Sequence, residues 1–161
     1  MTAPVFVDTN IWVYARDPAD PVKHATARRW LDELWETGSG RTSVQVLSEY
    51  YVTVTRRLST PLTADDAWRD VAAMLAWSPR AIDEAALQQA RSIEQQHRLN
   101  WWDCLVAASA SLQDCATLLT EDLQDGLVIA NVRVCNPFRV GVQDEMPRLR
   151  RSSRASRMAI R

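Results

Sequence analysis

Four acidic side chains in this sequence stand where acids are unusual. Asp8 follows Val5-Phe6-Val7 in FVDTNIWVY, Glu49 interrupts the apolar side of SVQVLSEYY, Asp103 follows two tryptophans in WWDCLVAASA, and Asp122 follows the apolar run in LLTEDLQDG. Charged residues stay exposed unless they are paired, and none of the four has an obvious cationic partner beside it in the sequence. If the four meet in space, their mutual repulsion at about 4 Å amounts to several kcal/mol at the intermediate effective dielectric of a protein surface. A divalent cation is the natural offset. Carboxylates without His or Cys offer hard oxygen ligands, which suit Mg²⁺ or Mn²⁺ better than Zn²⁺. Such an ion keeps several waters, activates one for attack on phosphorus and stabilises charge on the leaving oxygen. Taken alone, Asp8 and Thr9 have a plainer use, because both residue types cap helix starts.

The elements that must position these acids can be read from periodicity. Val5-Phe6-Val7 has no polar alternation and reads as a strand buried on both faces, with Asp8 at its carboxyl end and a short helix over Ile11 to Ala15 after it. Asp17 to Pro21 breaks the chain, Val22 to Thr37 is an amphipathic helix, and Gly38-Ser39-Gly40 ends it. Arg41-Thr42 is a short extended piece, and Ser43 to Leu58 is a helix that carries Glu49. A further helix begins at Thr63-Ala64-Asp65-Asp66 and stops at Ser78-Pro79. Arg80 to Ile82 reads as a short strand, Asp83 to Arg98 and Trp102 to Leu112 as helices, the latter opened by Asn100 or Asp103. Ala116 to Thr120 is a second buried strand, and Val128 to Val134 an extended pair or strand. Strands separated by helices of this length predict an α/β layer fold with a mainly parallel sheet, because a parallel connection needs a crossover. Ligands of such sheets gather outside the carboxyl ends of the strands, where Asp8 and Asp122 would stand.

Composition narrows the class. A chain of 161 residues, 47% apolar, is the size of one compact domain. It has no run of the roughly 18 apolar residues that would span a bilayer, and its start lacks the order of a signal peptide, so a cytoplasmic location without membrane attachment is expected. Cys104, Cys115 and Cys135 lie in apolar runs and read as free, buried thiols of the core. The net charge of −1 conceals an asymmetry: the last sixteen residues hold six arginines and no acid, leaving thirteen basic against twenty acidic residues before them. The expected division is a domain over 1–140 and a basic, flexible tail over 141–161, which could add non-specific affinity for RNA.

The four segments, in this order and spacing, resemble the PIN-domain ribonucleases, and among them the VapC-type toxins of bacterial toxin–antitoxin pairs. The resemblance covers roughly residues 4 to 140. It implies a PIN-like three-layer sandwich with a central, mainly parallel sheet. It also implies metal and catalytic roles for Asp8, Glu49, Asp103 and Asp122, with Asp8 and Asp103 the core pair. Asn10 and Thr120 match polar neighbours that orient them, and Glu121 and Asp125 are less certain. The further implications are Mg²⁺- or Mn²⁺-dependent cleavage of RNA, a homodimer, and inhibition by a small antitoxin. The tail is not part of the family pattern.

Other classes fit less well. A phosphatase of the haloacid-dehalogenase type needs a second aspartate two residues after the first, and Asn10 stands there, an amide that cannot transfer the proton. A dinucleotide-binding fold needs glycines after the first strand, whereas the chain has only four in all. His24 and His97 lie among charged or polar residues and receive no role. Trp12, Trp30, Trp35, Trp68 and Trp77 read as core or interface residues, and Trp101 and Trp102 could stack on a substrate base, although packing is the more ordinary use. The rival reading is a PIN-fold module that binds RNA or protein without cutting.

Overall fold

The structure is a computed structural model that describes residues 3–139; the basic tail expected over 141–161 lies outside them. Val5–Val7 forms β1, fully buried, as its unbroken apolar run requires. There follow α1 (Thr9–Arg16), α2 (Pro21–Thr37), β2 (Gly40–Arg41), α3 (Val44–Arg56), α4 (Ala64–Met74), a 3₁₀ turn (Leu75–Trp77), α5 (Glu84–His97), α6 (Trp101–Leu112), β3 (Thr117–Leu119), β4 (Val128–Ile129) and β5 (Val132–Cys135). The sheet order is β2-β1-β3-β5-β4, parallel throughout except for the β4/β5 pair. This is the α/β fold expected from the alternation of strands and helices. No helix among the described residues is long and apolar enough to cross a membrane.

Helix starts follow local chemistry. Asp20, Ser43, Thr63, Asp83 and Asn100 each accept a backbone N–H of the first turn that would otherwise lack a partner. Asn100, rather than Asp103, therefore opens α6. Arg80 to Ile82 does not form a strand: Arg80 makes one isolated parallel bridge with Ser43, donating to Thr42 O and accepting from Val44 N. Ser78 (φ 51°) and Pro79 turn the chain so sharply before it that pairing does not extend. The extended segment at 128–134 is a hairpin, closed by Ala130 (φ 46°) and Asn131 (φ 67°) in the left-handed pair that suits strand twist.

The core runs from Phe6 and Val7 through Ile11, Leu34, Val46 and Tyr50 to Ile93, Leu118 and Leu119, all essentially inaccessible to solvent. Trp12 and Trp30 are buried as expected, Trp77 is half-buried edge-on to Trp12 with ring centroids 4.8 Å apart, and Trp35 and Trp68 are exposed. Gly40 lies under the Trp77 ring, and a Cβ there would overlap it. Gly40→Ala is expected to destabilise the protein by about 1–3 kcal/mol, the usual range for overpacking, read as a lower urea midpoint with unchanged slope.

Candidate active site

Parallel pairing brings the first and the fourth acidic segments together. Val7 is in register with Leu119, so the residues that follow, Asp8 and Thr120, leave adjacent strand ends side by side. Asp8 N donates to Leu119 O at 3.1 Å and Thr120 N to Cys135 O at 3.0 Å, fixing both backbones. Asp8 Oδ1 accepts the Thr9 amide at 2.7 Å and Oδ2 the Thr120 hydroxyl at 2.8 Å. Asp8 thus caps α1, as one of its two readings has it, and is also a buried carboxyl, 5% exposed. Burial raises its pKa from 3.8 to about 7, against the lowering effect of the Thr120 and Thr9 hydrogen bonds, and the charges of Asp122 and Glu49 push the same way as burial.

Thr120, fully buried, is the hub. Its hydroxyl donates to Asp8 and accepts from Asn10 Nδ2 at 3.1 Å and from the Asp122 amide at 3.2 Å, using its whole hydrogen-bonding capacity. Asn10 Nδ2 also reaches Asp122 Oδ2 at 3.1 Å, and Asn10 Oδ1 accepts the Glu121 amide at 3.4 Å. Both expected supporting residues therefore stand where they can orient the acids.

Glu49 and Asp103 arrive on helices. The α1/α3 packing lets Thr9 Oγ1 donate to Glu49 Oε2 at 3.1 Å, while Gln45, one turn earlier on α3, donates to Oε1 at 3.0 Å and to the Trp102 carbonyl at 3.3 Å. Asp103, half-buried at the start of α6, accepts from the Asn100 amide. Burial raises the Asp103 pKa, Asn100 lowers it, and the charges of Asp122 and Glu49 raise it further. The same two charges therefore act on both Asp8 and Asp103, and the four acids share one field.

Each of the four is held by an uncharged donor, and none forms an ion pair among the described residues. Glu121 and Asp125 differ. Lys23 Nζ lies 2.7 Å from Glu121 Oε2, Tyr14 donates to Oε1 at 2.7 Å, and Arg139 lies 3.0 Å from Asp125. Both are neutralised in place. His24 Nδ1 sits 2.8 Å from the Tyr14 carbonyl, tying α1 to α2.

The donor chemistry fits a hard divalent ion, since the four side chains offer only oxygens and none of them is ion-paired to a lysine or arginine among the described residues. The side chains do not form a closed cage as they stand: no three His, Cys, Asp or Glu among the described residues are disposed to hold a metal. Like charges hydrogen-bonded to separate amides and hydroxyls have no cause to converge without a cation between them. Thiols offer no alternative site. Cys104, Cys115 and Cys135 are free, and burial pushes Cys115 up to about 12 and Cys135 to about 11.

A cleft of about 660 Å³ opens over this region, lined among others by Thr9, Asn10, Tyr14, Glu49, Arg57 and Asp122. Glu49 and Asp122 line it, and Asp8 and Asp103 do not. The donors Thr9, Gln45 and Asn100 carry no chemical signature of their own, yet Gln45 precedes Glu49 by four residues and Asn100 precedes Asp103 by three, spacings that meet on a helix.

Solved structures share the architecture. The chain is similar to VapC20 of Mycobacterium tuberculosis, described as a sarcin–ricin loop cleaving toxin, with TM-score 0.56 and 23% identity over 80% of this chain and 98% of that one. It is also similar to a toxin–antitoxin complex from Klebsiella pneumoniae, with TM-score 0.57 and 18% identity over 84% of this chain and 99% of that one. At such identities the likeness is one of fold. No curated protein matches the sequence. The family model for the PIN domain matches residues 5–124, most of the chain and the whole stretch that carries the four acids; the chain belongs to the PIN domain family.

Proposed function

We propose that this protein is a metal-dependent endoribonuclease and the toxin of a type II toxin–antitoxin pair. The observation that carries the reading is the set of four acids, Asp8, Glu49, Asp103 and Asp122, oriented by neutral donors, unpaired by any described cation and coupled through one field at the carboxyl ends of β1 and β3. The fold of the two toxin-related structures supports the assignment to that class.

Asp8, Glu49, Asp103 and Asp122 would hold Mg²⁺ or Mn²⁺, which when bound supplies an activated water and charge stabilisation at the phosphate. Thr120 and the Thr9 amide orient the two oxygens of Asp8, Asn10 orients Asp122, Gln45 and the Thr9 hydroxyl orient Glu49, and Asn100 orients Asp103. Asp8, with a pKa near neutrality, would have to be in its carboxylate form to hold the ion. Arg57 lines the cleft and forms no ion pair among the described residues, a cation placed to meet an RNA phosphate. Exposed Val22 and Trp35 on α2 and Val52 on α3 suit an antitoxin helix or a second copy in a homodimer, and RNA as substrate places the action in the cytoplasm.

The test is incubation of the purified chain with a panel of transcripts in Mg²⁺, in Mn²⁺ and in EDTA. Cleavage that EDTA abolishes is expected. Binding without cleavage of any transcript would favour the non-catalytic module. Ion binding is also expected to stabilise the fold: at ten times the dissociation constant, Mg²⁺ contributes about 1.4 kcal/mol, roughly 3–6 °C in melting temperature at pH 8 for a chain of this size.

A further inference from the structure

Trp102 is an aromatic side chain beside the acidic centre that packing does not explain. Its neighbour Trp101 lies against the core, while Trp102 is 60% exposed in the first turn of α6, directly before Asp103. It lines a groove of about 410 Å³ with Val44, Gln45, Ser48, Glu49 and Ile82. Ser48 and Glu49 also line the larger cleft, so the two depressions share a wall. Gln45 bonds both the Trp102 carbonyl and the Glu49 carboxylate, which fixes the platform relative to the acids.

We propose that this groove is a stacking site for one unpaired base of the RNA, next to the phosphate held at the acidic centre; the inference rests on the ribonuclease reading. Charge selects the occupant. No lysine or arginine lines the groove and its one ionic group is Glu49, so a phosphate is repelled and a neutral, flat ring is accepted. Val44 and Ile82, both exposed, supply an apolar flank against the face and edge of such a ring. The Gln45 amide nitrogen is occupied by its two internal hydrogen bonds and the Ser48 hydroxyl donates to the Val44 carbonyl, so the groove has few free donors with which to read a base edge. Stacking of this kind tolerates any base, because every base has a π-face, and it requires the base to be out of a helix, as in single-stranded loops.

The experiment compares steady-state cleavage of a short single-stranded RNA, intact and with one base removed beside the cleavage site, by wild-type protein, Trp102→Ala, Trp102→Phe and Trp68→Ala. Trp68 is equally exposed but lies on α4, away from the groove. Trp102→Ala is expected to raise KM for the intact RNA roughly 10- to 100-fold with little change in kcat, as loss of one stacked base implies. Trp102→Phe restores most of it, Trp68→Ala matches wild type, and removing the base raises KM for wild type but not for Trp102→Ala. Unchanged KM in Trp102→Ala overturns the stacking site while leaving the ribonuclease reading intact. A change in sedimentation mass on that substitution also overturns it, making the surface a protein interface. Absence of cleavage by the wild-type protein overturns the ribonuclease reading, and the stacking site with it.

Discussion

Asp8→Asn and Asp103→Asn proteins are each expected to cleave RNA at least about 100-fold more slowly than wild type under single-turnover conditions, while keeping the same fold. Loss of a group that merely orients a metal ligand typically costs 10- to 100-fold, and these two changes remove a charged ligand itself. Asn fits the space of Asp; at position 103 its oxygen still accepts from Asn100, and at position 8 its one oxygen keeps one of the two hydrogen bonds from Thr9 and Thr120, so the shape is retained while the charge is removed. Glu121→Gln provides the contrast. Its carboxylate is already engaged by Lys23 and Tyr14, and its replacement should change the rate far less. Equal losses for Glu121→Gln and Asp8→Asn would mean that the ion-pair pattern does not separate the site from its surroundings.

The second large effect is one of stability. The pKa of Asp8 is raised in the folded protein, from 3.8 to about 7, so the native state binds a proton that the unfolded chain has released across that range. Stability from this group is complete below pH 3.8 and is lost as pH rises through about 7. Asp103, raised by burial and by the same neighbours, has the same sign. In EDTA, Asp8→Asn removes the Asp8 contribution, so its stability relative to wild type should increase by about 3 kcal/mol between pH 5 and pH 8, at 1.36 kcal/mol per pH unit. Urea denaturation at the two pH values measures it. A relative stability that does not change with pH would show that Asp8 is not a buried carboxyl strained by its neighbours. Such a gain in stability alongside a loss of activity is the trade expected of a charged functional site.

The sequence made the position of the acids legible because their neighbours are so apolar. A strand such as Val5-Phe6-Val7 has one plausible place, buried in a parallel sheet, and Asp8 had to emerge at its end. The pairing of Asp8 with Thr120, by contrast, depends on the β1/β3 register, which the residue pattern could not supply. Arg80 to Ile82 looked extended and makes one bridge only, because the turn at Ser78-Pro79 and the immediate start of α5 leave no length for a ladder. The donors Thr9, Gln45 and Asn100 are common polar residues, and only their distances to Glu49 and Asp103 distinguish them. Trp101 and Trp102 are chemically identical in sequence. The helix turns one toward the core and the other outward, a difference that rests on the 100° step between consecutive residues.

Everything rests on four carboxylates sharing one hard cation, and calorimetric titration of Mn²⁺ into the metal-free protein reads that directly. Saturable binding by the wild type, lost in Asp8→Asn and in Asp103→Asn although each protein remains folded, is the predicted result. No binding by the wild type, or unchanged affinity in both variants, would contradict it.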